Sequence, residues 1–453
     1  MRIGGRLFGL FLLGFSVCSL LAQNPAEQWP QWRGPHMNGT SKTASSLPVK
    51  WSETENVVWR VKLPNWAAAT PVIWEDTLFI TSAQEGFTAI TGTRGYGIGG
   101  GRPPAAPDGV DKTLLLALDR ETGKERWRVE TGDGNHIENK QNMTSPSPVT
   151  DGTHVWVMTG TGVLSCFDFN GKRIWQRNIV EDYGRFGLNF GYASSPLLHE
   201  GRLYLQVLHG MKTDDPSYVL GIDAATGRTL WHVERPTDAV SETPDSYSTP
   251  MMAQVDGVAR LVVSGAGYLT VHDLDSGKEL SRAGGLDPTK ERNYRTIASS
   301  VVEGDVVFAP SRRRPFIAFR LHEQGNAEPQ PLWSTEYGPD VPTPTFDGEL
   351  LYIVDDRGIA LCLRGADGEI VWDRNRLEPG TYSASPVLAD GKIYATNEEG
   401  TTTVFRAGPE FEILSVNKLN DYTLASPAIV GEHIFVRTAN YLYCLGNKDA
   451  SSD

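Results

Sequence analysis

Short apolar runs recur along this chain at a nearly fixed interval. They start at Pro71-Val72, Pro148-Val149, Pro196-Leu197, Pro250-Met251, Pro386-Val387 and Pro427-Ala428, more weakly at Pro344-Thr345, and at Ser300-Val301 in the remaining slot. Successive spacings are 77, 48, 54, 50, 44, 42 and 41 residues. Eight residues past a start stands an aromatic: Phe79, Trp156, Tyr204, Phe308, Tyr352, Tyr394 or Phe435, with Val258 as the exception. Between start and aromatic lies a turn glycine in most units, at Gly152, Gly201, Gly304, Gly348, Gly391 and Gly431. Val387 to Tyr394 therefore reads as strand, Asp390-Gly391 turn, strand, because glycine tolerates the positive φ a tight hairpin needs.

A second pattern closes each unit. Ala117 to Trp127 (ALDRETGKERW) is matched by Gly221 to Trp231 (GIDAATGRTLW). Weaker copies lead from Asp168 to Trp175, Asp273 to Ser281 and Asp367 to Trp372. Asp caps the turn, Gly allows the reversal and Trp packs on a neighbour. Burying one indole removes ~150–250 Å² from water, roughly 4–6 kcal/mol gross, so Trp59, Trp127, Trp175, Trp231, Trp333 and Trp372 are assigned to docking units together.

Four short strands per unit of some 40–50 residues predict a radial all-β ring, which leaves only short edges to protect. The closing position runs Trp127, Trp175, Trp231, Ser281, Trp333, Trp372 and a degraded copy near Ile413-Leu414, and the unit from Pro427 stops three strands in. The segment Asn56 to Leu63 has the composition of the missing strand. The prediction is an eight-bladed β-propeller of four-stranded antiparallel blades, closed by an N-terminal strand that completes the last blade. The boundaries are 1–22 signal peptide, 23–52 N-terminal extended segment, 53–447 propeller and 448–453 C-terminal tail.

Length alone, at 453 residues, would predict about three domains; the repeat replaces them with one ring. A content of 40% hydrophobic and 21% charged residues supports a folded core, and a net charge of -13 repels a phosphate backbone, which argues against nucleic acid. Arg2 and Arg6 precede the apolar run from Leu7 to Ala22, a signal-peptide layout with cleavage near Ala22 and a periplasmic or secreted destination. Bulky Val17 argues against lipidation of Cys18, and no other stretch is long and apolar enough to span a bilayer. Cys166, Cys362 and Cys444 each stand in an apolar strand and read as small buried hydrophobes. A monomer is expected.

ALDRETGKERW resembles the tryptophan-docking motif of the pyrroloquinoline quinone (PQQ) dehydrogenase propellers, and the repeat resembles the PQQ-binding-like family over residues 53 to 447. Trp29-Pro30-Gln31-Trp32-Arg33-Gly34-Pro35 is similar to the start of many exported members. The resemblance implies either a quinoprotein enzyme or a non-catalytic scaffold similar to the lipoprotein that assists outer-membrane barrel assembly. The enzymes of this group carry adjacent cysteines and a Glu, Asn and Asp set around calcium. No two cysteines adjoin here, and no such set is assigned.

Other chemistry is weak. The Gly95–Gly100 run matches a dinucleotide fingerprint but leads into Arg102-Pro103-Pro104, where no helix can begin. The histidines show no zinc spacing, and Asp273-Leu274-Asp275 has the register of a surface turn. Arg312-Arg313-Arg314 is a basic run read as a solvated loop or an anion or partner contact. Candidate binding residues lie on the connections that lead into each blade: Trp66, Tyr192, Tyr247, Tyr294, Arg295, Tyr382 and Tyr422, fed by 135–139 and 183–189. They form a rim suited to a sugar, a peptide or a planar cofactor, unless the tyrosines simply pack the loops. The functional expectation is a non-catalytic binding or scaffold protein for an envelope protein or polysaccharide, with no catalytic residue, metal or cofactor assigned. The alternatives are a dehydrogenase using PQQ with calcium and a polysaccharide-binding or polysaccharide-processing propeller.

Overall fold

The computed structural model describes residues 25–87, 108–312, 314–322 and 326–447. The leader 1–22 with Cys18, the Gly95–Gly100 run, Arg313 and the tail 448–453 lie outside the described residues. Eight four-stranded antiparallel sheets follow one another around a ring, spanning 72–132, 149–178, 197–234, 251–283, 301–335, 345–376, 387–418 and 428–445. The eighth takes its outer strand from Val57–Lys62, which pairs antiparallel with Tyr441–Leu445 and sets Trp59 opposite Cys444. Among the described residues, helix is confined to Pro25–Glu27 and Ile179–Tyr183.

Each blade buries both faces against its neighbours, so its inner strands are buried on both sides, as in Val72–Trp74 and Thr77–Ala83. The outer strands alternate, as the intermediate and exposed positions of Val57–Lys62 do. Outer-strand indoles cross to the next blade and donate their N–H to a turn carbonyl there. The bonds are Trp59 to Arg120 (2.9 Å), Trp127 to Phe169 (2.8 Å), Trp175 to Ala224 (3.0 Å), Trp231 to Leu274 (2.9 Å), Trp333 to Gly365 (2.8 Å) and Trp372 to Gly408 (3.1 Å). Gly123 (φ +69°) shows why the turn needs glycine: a Cβ there would fall 2.6 Å from the Trp59 ring.

A second stitch runs around the axis. The residue just before each blade carries a hydroxyl, and its backbone N–H donates to the corresponding hydroxyl of the next blade. The series runs from Thr70 to Ser147 (3.0 Å), Ser147 to Ser195 (2.9 Å), Ser195 to Thr249 (3.2 Å) and Thr249 to Ser299 (2.8 Å). It continues from Ser299 to Thr343, Thr343 to Ser385 and Ser385 to Ser426, at 2.9 Å each. The belt stops at the seam between the eighth blade and the first, where the Thr70 hydroxyl is buried without a partner. There Arg437 substitutes: its buried guanidinium donates to Thr81 O (2.6 Å) and Asn65 O (3.2 Å) of the first blade.

The segment 25–52 crosses the lower face, where the first-to-second strand turns lie. Trp29 bridges to Ile73 of the first blade, and Thr150 of the second donates to Pro30 O (2.8 Å). Thr40–Ser41 adds a short parallel strand to the seventh blade. Between them Arg33 is fully buried and donates to Pro386 O and Pro344 O, both at 2.7 Å. Burial lowers its guanidinium to about 9. Gly39 (φ +75°) lies where any Cβ would meet Arg33 Nη2 at 2.0 Å. This extended segment is therefore a plug across the lower face that ties the first and second blades to the sixth and seventh.

Candidate functional site

The inter-blade connections meet on the upper face around a hollow of about 180 Å³. Each of the eight connections contributes at least one residue: Ala68, Lys140, Phe190, Tyr247, Arg295, Val341, Ser383 and Leu424. Apolar groups make one part of the wall and two cations the other. The Arg295 guanidinium lies over the Phe190 ring at 5.0 Å, with Glu242 at 3.8 Å and Asp340 at 3.9 Å. Lys140 pairs with the buried carboxylate of Glu398, which also accepts from the Ser383 hydroxyl at 2.6 Å.

A layer behind these residues fixes the wall. The buried Asp245 carboxylate accepts from the backbone N–H of Asn189 (2.7 Å), Gly210 (2.9 Å) and Met211 (3.1 Å). Burial raises this carboxyl to about 6, and those three N–H groups pull in the opposite direction. The Tyr247 hydroxyl accepts from Phe190 N (2.9 Å), so Asp245 and Tyr247 together hold the Asn189-Phe190 stretch against the hollow.

Most of the rim aromatics pack inside, the alternative weighed above for the tyrosines. Trp66, Tyr192, Tyr294, Tyr382 and Tyr422 are all under 9% exposed, because their rings fill the space between blades rather than face solvent. Tyr192 stacks on Phe186, and Tyr382 donates to Glu378 O (2.8 Å) within its own loop. Of the seven rim residues, Tyr247 and Arg295 line the hollow. Five other liners stand one to three positions from a named aromatic: Ala68 near Trp66, Phe190 near Tyr192, Ile297 near Tyr294, Ser383 beside Tyr382 and Leu424 near Tyr422, whereas Val341 stands near none. Lys140 follows directly on 135–139. Placement on the same connections was the available signal, but which neighbour turns inward depends on packing that no spacing encodes.

A closed ring of eight blades, indoles docked on the next blade's turn and a hollow on the axis define a PQQ-binding-like propeller. The family described as outer membrane protein assembly factor BamB matches residues 111–374, more than half of the chain, and the chain belongs to that family. No curated protein matches the sequence. Among solved structures, a europium-containing methanol dehydrogenase is similar with a TM-score of 0.70 at 10% identity, covering 93% of this chain and 98% of that one. Quinohemoprotein alcohol dehydrogenase from Comamonas testosteroni gives 0.65 at 11% identity, covering 95% and 82%. BamB from Moraxella catarrhalis gives 0.59 at 12% identity, covering 88% and 99%. At these identities the likeness is one of fold.

The dehydrogenase relatives raise the question of PQQ on calcium. Calcium takes several oxygen ligands converging at 2.3–2.6 Å. Glu242 and Asp340 come from different connections and Glu398 from a turn within the seventh blade, and no three His, Cys, Asp or Glu among the described residues form a metal-holding group. With Arg295 and Lys140 against three carboxylates, the wall offers no surplus positive charge to a multiply charged acid. Cys166, Cys362 and Cys444 are buried in the third strands of the second, sixth and eighth blades, and burial pushes each thiol up to about 12. The residues present do not fit a calcium-borne PQQ.

Proposed function

We propose that this chain is an exported, non-catalytic binding propeller of the cell envelope whose upper face seats a protein partner. The observation that carries the reading is the hollow itself: all eight connections supply its wall, so the ring is built as a receptor surface. Its family is described as an assembly factor, which supports both the protein partner and the envelope setting. The apolar leader 1–22 agrees with export, and no helix among the described residues is long and apolar enough to cross a membrane. A glycan site would want open aromatic faces, whereas the rim tyrosines are packed inside.

Ala68→Trp tests this by filling the hollow without touching a blade strand. Captured on a resin with envelope extract, the natural chain is expected to retain a partner that the Ala68→Trp chain releases, and PQQ with calcium is expected to leave tryptophan fluorescence unchanged. Capture undiminished by the substitution, or saturable PQQ-dependent dye reduction with an alcohol, overturns the reading.

A further inference from the structure

The hollow on the axis has a size and a chemistry that select among the side chains a partner can insert. Its volume of about 180 Å³ is close to the ~150 Å³ of an apolar cavity that holds one benzene. A single ring fits it, and a helix or a strand does not. Ala68, Ile297, Val341 and Leu424 make the aliphatic part of the wall, and Phe190 and Tyr247 the aromatic part. These two rings already meet edge to face, with centres 6.0 Å apart.

One polar group in this wall is incompletely satisfied. Lys140 has the Glu398 carboxylate and the Ser383 hydroxyl as partners. Arg295 donates no hydrogen bond among the described residues: its Nε is buried without a partner, and the Glu242 and Asp340 carboxylates stand off at 3.8 and 3.9 Å, beyond hydrogen-bond length. Its remaining contact is the Phe190 ring at 5.0 Å. Anything that enters the hollow takes water from this guanidinium, and the classes of side chain differ in what they return. An aliphatic chain covers the charge and returns nothing. A carboxylate gains little from cations that Glu242, Asp340 and Glu398 already neutralise, and a basic side chain meets Arg295 and Lys140 first. The face of an aromatic ring compensates a guanidinium without supplying an acceptor oxygen, the more so once water is excluded, and extends the edge-to-face pair of Phe190 and Tyr247.

We infer that the hollow is a socket for one aromatic side chain of the protein partner. The inference rests on the protein-partner reading proposed above and names the residue type that this partner presents at the centre of the contact. A central anchor ring in a desolvated pocket, with an arginine beside it, is the arrangement in which a few residues carry most of the binding energy of an interface.

The test uses the full chain and saturation-transfer NMR with N-acetyl-phenylalanine amide. It is compared with N-acetyl-cyclohexylalanine amide, which has a ring of similar size but no π face, and with N-acetyl-glutamate amide. The phenylalanine amide is expected to bind roughly fivefold more tightly than the cyclohexyl compound, and the glutamate amide not to bind. Ala68→Trp is expected to abolish binding of both ring compounds, with Leu424→Trp as a second way of filling the same space and melting curves confirming the fold. Arg295→Met, or Arg295→Gln if the first melts early, is expected to remove the preference between them. An excess of phenylalanine amide is expected to release a partner captured from envelope extract. No binding of the phenylalanine amide, equal affinity for the two ring compounds, a preference that survives loss of the Arg295 cation, or binding of the glutamate amide as strong as that of the phenylalanine amide overturns the inference. None of these touches the protein-partner reading, which the capture experiment with Ala68→Trp judges alone. Phenylalanine amide that binds with the expected preference yet leaves the captured partner in place overturns the assignment to a partner side chain, because the hollow then takes a free aromatic compound.

Discussion

At the scale of single residues, the hydroxyl belt contains its own control. Ser195 accepts from Ser147 N and passes its own N–H to Thr249, so both its hydroxyl oxygen and its N–H are used. Thr70 differs: its N–H is used, but its Oγ1 is buried and idle. Removing an acceptor strands a buried donor at a cost of ~1–3 kcal/mol, whereas replacing an unbonded hydroxyl by a methyl of the same shape costs little. Ser195→Ala is therefore expected to lose about 1–3 kcal/mol in urea unfolding, and Thr70→Val to lose nothing or gain. Equal losses would show that the belt is packing rather than hydrogen bonding. A Ser or Thr before nearly every blade-opening proline is visible in the sequence, but the apolar pattern masks it, because a hydroxyl there is read as turn punctuation.

Among the elements, the repeat period and the turn glycines were legible because their local chemistry recurs from blade to blade, and the closing strand because the last unit lacked the fourth strand that the others carry. Features made once were not. The seventh blade sets Ser415, beside the Ile413-Leu414 copy, and the fourth Ser281 where the other six have a docking tryptophan. In five blades that indole packs near the aromatic of the blade's second strand, with ring centres 5.9 Å apart for Phe79 and Trp127, 5.9 Å for Tyr204 and Trp231, 5.9 Å for Phe308 and Trp333, 6.4 Å for Tyr352 and Trp372, and 6.0 Å for Phe435 and Trp59. In the seventh, Trp51 of the N-terminal segment stacks on Tyr394 at 6.2 Å, while its backbone N–H donates to Asn417 (3.0 Å). A residue more than 340 positions away thus fills the gap, which no local pattern announces. Trp51→Ala is expected to cost ~3–5 kcal/mol, the range for emptying a buried tryptophan site, and to lower the melting temperature as much as Trp372→Ala does. A shift within the error of a surface substitution would assign Trp51 no packing role.

For the molecule as a whole, stability depends on one seam. Seven blade junctions continue the belt, and the eighth, between the last blade and the first, lacks that link. It is held instead by the strand Val57–Lys62 on Tyr441–Leu445, by the Trp59 indole on the Arg120 carbonyl (2.9 Å) and by Arg437 reaching Thr81 and Asn65. The Arg60 guanidinium adds a cation–π contact 4.7 Å from the Tyr441 ring. Deleting residues 53–63 removes the strand, the indole and Arg60 together and leaves Tyr441–Leu445 as an unpaired edge beside an open core, the exposure that drives aggregation. The deleted chain is expected to be insoluble or to melt far below the intact one. Arg437→Leu keeps the strand while removing two buried hydrogen bonds across the same junction, and is expected to give a soluble ring of lower stability. A deleted chain that melts with the intact one would mean that the ring closes without its first strand and that the plug alone, through Arg33 on the sixth and seventh blades and Trp29 on the first, holds the ends together.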